Sequence, residues 1–319
     1  MSARTIDGRR VAAALTEELR REVKTLADQG VRPGLATVLA GDDYAARAYE
    51  RRVRRLAEDL GVRYLACSLA ADVVTADVLA AVGGLAADPR ISGILVLRPL
   101  PAGVNEVEVY RVMDPDKDIE AVTPLNAGLL AQGRPRFIPS TPAACFHLLD
   151  GYLADTTPNP AQFYARSLIA VVGRSNNVGK PSVLLGLARG ATVVSCDVNT
   201  SRAGRLVELS RQADVLIVAA GVPGLITAAH VRPGAVVIDV GINPVRSADT
   251  GQVRLVGDVA SEEVAGVAGG LTPVPGGVGP VTDVFLLHNT MAAAAAIAGV
   301  AEAQPSLEGP WHGDSASAG

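Results

Sequence analysis

The stretch VVGRSNNVGKPS, residues 171–182, decides the fold. An apolar run, Leu168 to Val172, ends at Gly173. Gly179 follows six residues later, and an amphipathic run opens at Val183. That order predicts a strand, a glycine-bounded turn and a helix. Glycines let backbone N–H groups approach a diphosphate, and a helix N-terminus favours its negative charge. A second apolar run, Ala191 to Ser195, is closed by Cys196 and Asp197. Together these read as the first half of a dinucleotide-binding fold.

Two other phosphate loops fail to match. The triphosphatase loop needs four residues between its glycines, then Lys and Ser or Thr. Here five residues separate the glycines, and Pro181 follows Lys180, so no hydroxyl is placed to hold magnesium. The common G-x-G-x-x-G pattern is also absent. On the local pattern alone, a tight strand–helix turn without a ligand stays open.

Outward from this loop the chain alternates strand and helix patterns. N-terminally, helical spacing covers Val11 to Leu26, Ala45 to Leu60 (closed by Gly61) and a run to about Leu85 with Thr75 as N-cap. Strand patterns cover Gly34 to Ala40, Tyr64 to Leu69 and Ile94 to Leu97. A helix from Ala143 to Tyr152 and a Pro-bearing linker, Thr156 to Pro160, come before the nucleotide loop. Later strands are expected at Val215 to Ala219, Val236 to Val240 and Arg254 to Val256, and a final helix at Asp283 to Val300. The alternation predicts an α/β chain with parallel sheets. Two strands end in loops, Ala220 to Gly224 and Gly241 to Pro244. Ligands of open α/β sheets bind beyond such strand ends, although Gly and Pro also simply terminate strands.

Composition narrows the class. A chain of 319 residues fits one large or two ordinary domains, and 49% apolar content is ample for a core. A net charge of −4 leaves no basic footprint for nucleic acid. Cys67, Cys145 and Cys196 show neither metal-ligand spacing nor a disulfide framework, and the four His residues do not cluster. No metal is expected. Neither an export signal nor a membrane span is evident, so the expectation is a cytoplasmic protein with no membrane partner. The segment 304–319 reads as a disordered tail.

Several further blocks stand in order: GDD (41–43) with Tyr49 beyond it, GILVLRPLP (93–101), DKDIEAVTPLNAG (116–128), VIDVGIN (237–243), LVGDV (255–259) and TPVPGGVGPVT (272–282). With the loop at Gly173, they resemble the methylenetetrahydrofolate dehydrogenase/cyclohydrolase family from about Ile6 to about Ala301. The resemblance implies a folate domain, residues 1–152 with 283–303, and a Rossmann-type dinucleotide domain, residues 153–282, with a folate cleft between them. It also implies a homodimer, a tetrahydrofolate-type substrate and a nicotinamide cofactor.

The resemblance assigns roles residue by residue. Tyr49 and Glu120 are the catalytic pair that positions the folate, with Glu120 where the family has Asp. Val96, Leu97, Pro275, Gly276 and Gly277 also line the substrate. Gly173, Arg174, Ser175, Val178, Gly179, Asp197, Ala220, Gly221, Pro223, Ile242 and Thr282 line the cofactor. Asp197 favours NAD, because an acid there accepts ribose hydroxyls and repels a 2′-phosphate. NADP remains the alternative, since Arg174 could reach that phosphate. An Asp197 that only caps a turn is the competing reading.

This chain departs from the family where hydrolysis sits. The family's Lys, four residues after the Tyr, is Val53 here. The Gln that supports it is Leu97, and the next residue is Arg98. By angular position Arg52, Arg54 and Arg55 point elsewhere. The Gly after the pterin carboxylate is Ala121. Asp283 replaces an apolar residue and reads as a helix cap. The expectation is a methylenetetrahydrofolate dehydrogenase with weak or absent cyclohydrolase activity. Two alternatives stay open: an oxidoreductase for a modified folate or other methylene donor, and a non-catalytic binding paralogue.

Overall fold

The computed structural model describes residues 2–246 and 252–300. The tail expected at 304–319 lies outside the described residues. In chain order the elements are β1 (Arg4–Thr5), α1 (Gly8–Asp28), β2 (Gly34–Ala40), α2 (Tyr44–Leu60), β3 (Arg63–Leu69), α3 (Thr75–Ala87), β4 (Gly93–Val96), α4 (Glu106–Val112), α5 (Pro124–Ala131), α6 (Ser140–Thr156), α7 (Pro160–Arg166) and β5 (Leu168–Val172). They continue with α8 (Gly179–Ala188), β6 (Thr192–Cys196), α9 (Val198–Arg202), α10 (Leu206–Ser210), β7 (Val215–Val218), β8 (Val236–Asp239), β9 (Asn243–Arg246), β10 (Val253–Val256), α11 (Ser261–Val264), β11 (Gly270–Leu271) and α12 (Val278–Ile297).

The chain divides into two compact units. One holds described residues 2–13 and 141–282, the other 14–140 and 283–300. The first carries a six-stranded sheet in the order β1-β11-β8-β7-β5-β6, with every pairing parallel. Its central strands β5 and β7 are apolar on both faces, as a helix-covered parallel sheet requires, and Ala170, Val172, Leu216, Val218 and Val237 are buried. The chain leaves β5 for β6 on one side and returns to β7 on the other. That makes the carboxyl ends of β5 and β7 the point where strand order reverses, the usual place for a ligand in such sheets. An antiparallel hairpin, β9 with β10, stands apart. The second unit has a parallel β3-β2-β4 sheet, over which Val78 and Val82 of α3 and Val109 of α4 are buried.

The structure moves several expected boundaries. The first unit takes residues 2–13 because β1 pairs with β11, Arg4 opposite Gly270. It takes most of α6 because that helix packs there, with Asp150 bonded to Arg189 at 2.8 Å and Phe146 stacked 4.5 Å from the Arg189 guanidinium. The expected division at residue 152 therefore falls at 141. The expected linker shrinks to 157–159, because α7 opens at Pro160 with Asn159 as its cap. Thr75 is the first residue of α3 rather than its cap. The last helix begins at Val278, five residues before Asp283, because Pro280 in a first helical turn lacks only an N–H that would have no partner there.

Candidate active site

Strand β5 ends where its backbone must turn sharply. Gly173 has φ +120°, and a Cβ there would lie 2.1 Å from the Ala219 carbonyl oxygen beyond β7. Only glycine allows both. Gly173 N–H still donates to Cys196 O at 2.9 Å, so the turn stays tied to β6. Within the loop the Ser175 hydroxyl accepts from Val178 N and Gly179 N, at 3.2 and 3.3 Å. Ser175 thereby caps the opening of α8, and the positive end of that ten-residue helix lies at the switch point.

Arg174 turns back onto β6. Its guanidinium donates to Asp197 Oδ2 at 2.9 Å, to Ser195 Oγ at 3.1 Å and to Ser195 O at 2.8 Å. Asp197 caps α9 through Oδ1, which accepts from Asn199 N and Thr200 N, both at 3.0 Å. Those backbone bonds, foremost from Thr200, and the nearby Arg174 hold its carboxyl below the ordinary range. The cap geometry that competed with a cofactor role is therefore present, and the charge of Arg174 is already paired.

Two buried acids organise the neighbouring loops. Asp258 Oδ2 accepts from Ala220 N at 2.6 Å and Gly221 N at 2.8 Å, and its Oδ1 accepts from Asn243 Nδ2 at 2.8 Å. Asp239, at the end of β8, accepts from Gly241 N, Asp258 N and Val259 N. Burial pushes the Asp239 carboxyl up to about 7 against these donors, and Asp258 adds to the rise. Sequence reasoning missed both acids as site residues. The available signal was a charge ending the four-residue strand VVID, two residues before Gly241, and another in LVGDV, directly after Gly257.

Of the remaining cofactor residues, Pro223 is exposed, Ile242 is half exposed and Thr282 is buried. Thr282 Oγ1 donates to Val278 O at 3.2 Å inside α12. The Pro275-Gly276-Gly277 turn belongs to this same unit. Its close approach is to protein. The Gly277 carbonyl oxygen lies 1.8 Å from where a Cβ on Gly8 would sit, and Arg9 N–H donates to Gly276 O.

In the other unit, α2 carries Tyr49 and Arg52 one turn apart. The Arg52 guanidinium lies 5.1 Å from the Tyr49 ring centre. It also forks onto Asp283 of α12, Nε to Oδ2 and Nη2 to Oδ1, the latter at 3.0 Å. The Asp283 side chain is buried, so it is an ion-pair partner rather than the expected helix cap. Arg52 likewise does not point away from Tyr49. Residues three apart share a helix face, and the long side chain reaches back along it. Burial, then the carboxylates of Asp283 and Glu120, push the Tyr49 phenol well above its ordinary value.

Glu120 accepts from Ser140 N at 3.1 Å. Burial pushes its carboxyl up to about 7, and Asp118 adds to the rise. Asp118 itself is committed to the local turn, accepting from Val122 N, Thr123 N and Asn126 Nδ2. Val53 is fully buried, and Val96 and Leu97 are buried with it in this unit. Arg98 forms a fork with Glu106, at 2.8 and 2.9 Å. Lys117 donates to Ala86 O and Asp88 O beside the end of α3. The structure thus joins Tyr49, Glu120, Arg52 and Asp283 electrostatically in one unit. The nucleotide-loop residues and 275–277 lie in the other.

Known proteins match this chain along most of its length. The profile of the tetrahydrofolate dehydrogenase/cyclohydrolase catalytic domain matches residues 6–120, and that of the NAD(P)-binding domain of the same enzymes matches residues 139–298. The bifunctional protein FolD 3 of Rubrobacter xylanophilus is 60% identical over 310 residues, covering 97% of this chain and 98% of that one. The structure is similar to that of the Trypanosoma brucei methylenetetrahydrofolate dehydrogenase-cyclohydrolase complexed with NADP and an inhibitor. There the TM-score is 0.85 and the identity 32%, over 93% of this chain and 99% of that one. The bifunctional FolD of Campylobacter jejuni gives a TM-score of 0.82 at 34% identity, covering 92% of this chain and 99% of that one. With both of its domains matched, the chain belongs to the tetrahydrofolate dehydrogenase/cyclohydrolase family and carries that family's NAD(P)-binding domain.

Proposed function

We propose that this protein oxidises 5,10-methylenetetrahydrofolate to 5,10-methenyltetrahydrofolate with NAD, and that hydrolysis of the product is weak or absent. The observation that carries the reading is the pairing of a formed nucleotide loop with fully buried, aliphatic Val53 and buried Leu97. Hydride loss from the methylene carbon is driven by the adjacent nitrogen lone pair, so it needs orientation rather than a protein acid or base. Ring opening by water moves protons and needs one. Neither Val53 nor Leu97 can transfer a proton, and Arg52 keeps its proton.

The residues present fit a dinucleotide. Gly173 and Gly179 let the loop fold tightly over the end of β5, since a Cβ on either would lie 2.1 Å from a backbone carbonyl oxygen, and the start of α8 offers positive charge to a diphosphate. Gly173, Ser175, Val178 and Gly179 would hold the diphosphate. Ala220, Gly221, Pro223, Ile242 and Thr282 would line the nicotinamide end. The bound nicotinamide supplies a two-electron hydride acceptor. Tyr49 would stack along the folate, with Val96 and Leu97 beside it. Glu120 would accept N–H bonds from the pterin, and Pro275, Gly276 and Gly277 would lie along the folate. Action as a cytoplasmic homodimer, as the family implies, is part of this reading.

The preference for NAD rests on the Arg174–Asp197 pair. A 2′-phosphate would meet the Asp197 carboxylate, and the arginine able to offset it is already bonded to that carboxylate. The test is the ratio of kcat/KM for NAD over NADP with methylenetetrahydrofolate. A ratio above ten is expected, and Asp197→Ser should lower it. A ratio favouring NADP would reject the preference, and no reduction of either cofactor would reject the dehydrogenase.

A further inference from the structure

The family resemblance implies an apolar residue where this chain has Asp283, and a lysine at the position of Val53. The structure shows what accompanies both changes. Asp283 is buried and takes the Arg52 guanidinium in a fork, while the rest of that guanidinium stacks beside Tyr49. Arg52 is half exposed, so its position is not fixed by packing. The buried carboxylate fixes it. Such a fork allows one orientation of the planar group.

We propose that the Arg52–Asp283 pair is a positioning device for Tyr49, which sets that ring for a tetrahydrofolate. Asp283 orients Arg52, and Arg52 restrains the ring through its face. A ring already immobilised loses less rotamer freedom when a flat ligand stacks on it. The pair is also neutral overall, so it adds no net charge beside the ligand where a lone lysine would add one. Nothing in it moves a proton. Its effect is on folate affinity, and it rests on the reading of Tyr49 as a folate contact.

The test is calorimetric titration of the purified protein with tetrahydrofolate and, separately, with NAD. Arg52→Gln and Asp283→Asn should each weaken tetrahydrofolate binding roughly three- to tenfold and leave NAD binding unchanged. Arg52→Lys keeps the charge without the fork and should fall between. The double variant should be no worse than either single one, because the two residues act as a unit. An Arg52→Leu, Asp283→Leu variant removes both charges while keeping the site filled. It should fold and still bind tetrahydrofolate weakly. Wild-type affinity in that variant or in Arg52→Gln overturns the positioning role, as does an equal loss of NAD binding. Tetrahydrofolate binding without NAD reduction would reject the dehydrogenase reading alone. No tetrahydrofolate binding by the wild type would reject both.

Discussion

Ala121 has φ +50°, the left-handed region, at the position where the resemblance implies glycine. Its N–H closes a turn onto Asp118 O. A left-handed alanine costs about 1–2 kcal/mol, partly offset by the extra freedom glycine has when unfolded. Ala121→Gly should therefore stabilise the protein by about 0.5–1 kcal/mol in urea unfolding. Unchanged or lowered stability would show that the turn accepts alanine without strain. Glu120 makes the second residue-scale prediction. Below the ordinary glutamate value, 4.5, it is protonated in both folded and unfolded chains. From there up to about 7 the unfolded chain ionises it first, so its contribution to stability is lost as pH rises. Glu120→Gln removes that loss. Relative to wild type, the variant should improve by about 2–3 kcal/mol between those two pH values. Stability–pH curves that run parallel would contradict the raised value. Tyr49 and Glu120 stand out in the sequence as candidates because motif blocks surround them. Arg52 could not, because angular position on a helix ignores how far a long side chain reaches. Asp283 looked like a cap only because the start of its helix was placed too late.

Among the elements, the long strand–helix repeats were legible and the short helices were not. Helices α4, α5 and α7 have seven or eight residues, too few for a helical period to stand out from a loop. Each is signalled instead by its cap, Asn105, Thr123 or Asn159. Strand β11 has two residues and no pattern of its own, and it exists through its partners. The loops beyond β7 and β8 were recognised by their glycines, but what holds them is Asp258. Its three donors all need an acceptor. An asparagine there turns one acceptor into a donor facing an N–H. Asp258→Asn should destabilise the protein by about 2–3 kcal/mol and raise KM for NAD while leaving KM for the folate unchanged. A stable variant with wild-type NAD kinetics would show that these loops do not depend on the acid.

On the scale of the molecule, the alternation of strand and helix predicted an α/β chain, the resemblance implied two domains, and the structure has two α/β units. Their exact membership was not legible. The pairing of β1 with β11 and the packing of α6 are long-range contacts that leave no local pattern. The same limit applies to chemistry. Family blocks surround the nucleotide loop, and buried aliphatic side chains stand at 53 and 97, where the resemblance implies Lys and Gln. The proposed activity is oxidation without hydrolysis. Its most direct measurement supplies purified protein with methylenetetrahydrofolate and NAD and follows NADH and methenyltetrahydrofolate together. Methenyltetrahydrofolate should accumulate mole for mole with NADH and then decay at the rate seen in buffer alone. Loss of an acid–base group lowers an enzymatic rate by roughly 10²–10⁴-fold, so any residual hydrolysis should be small beside that background. NADH formed without accumulation of methenyltetrahydrofolate, or no NADH at all, would contradict it.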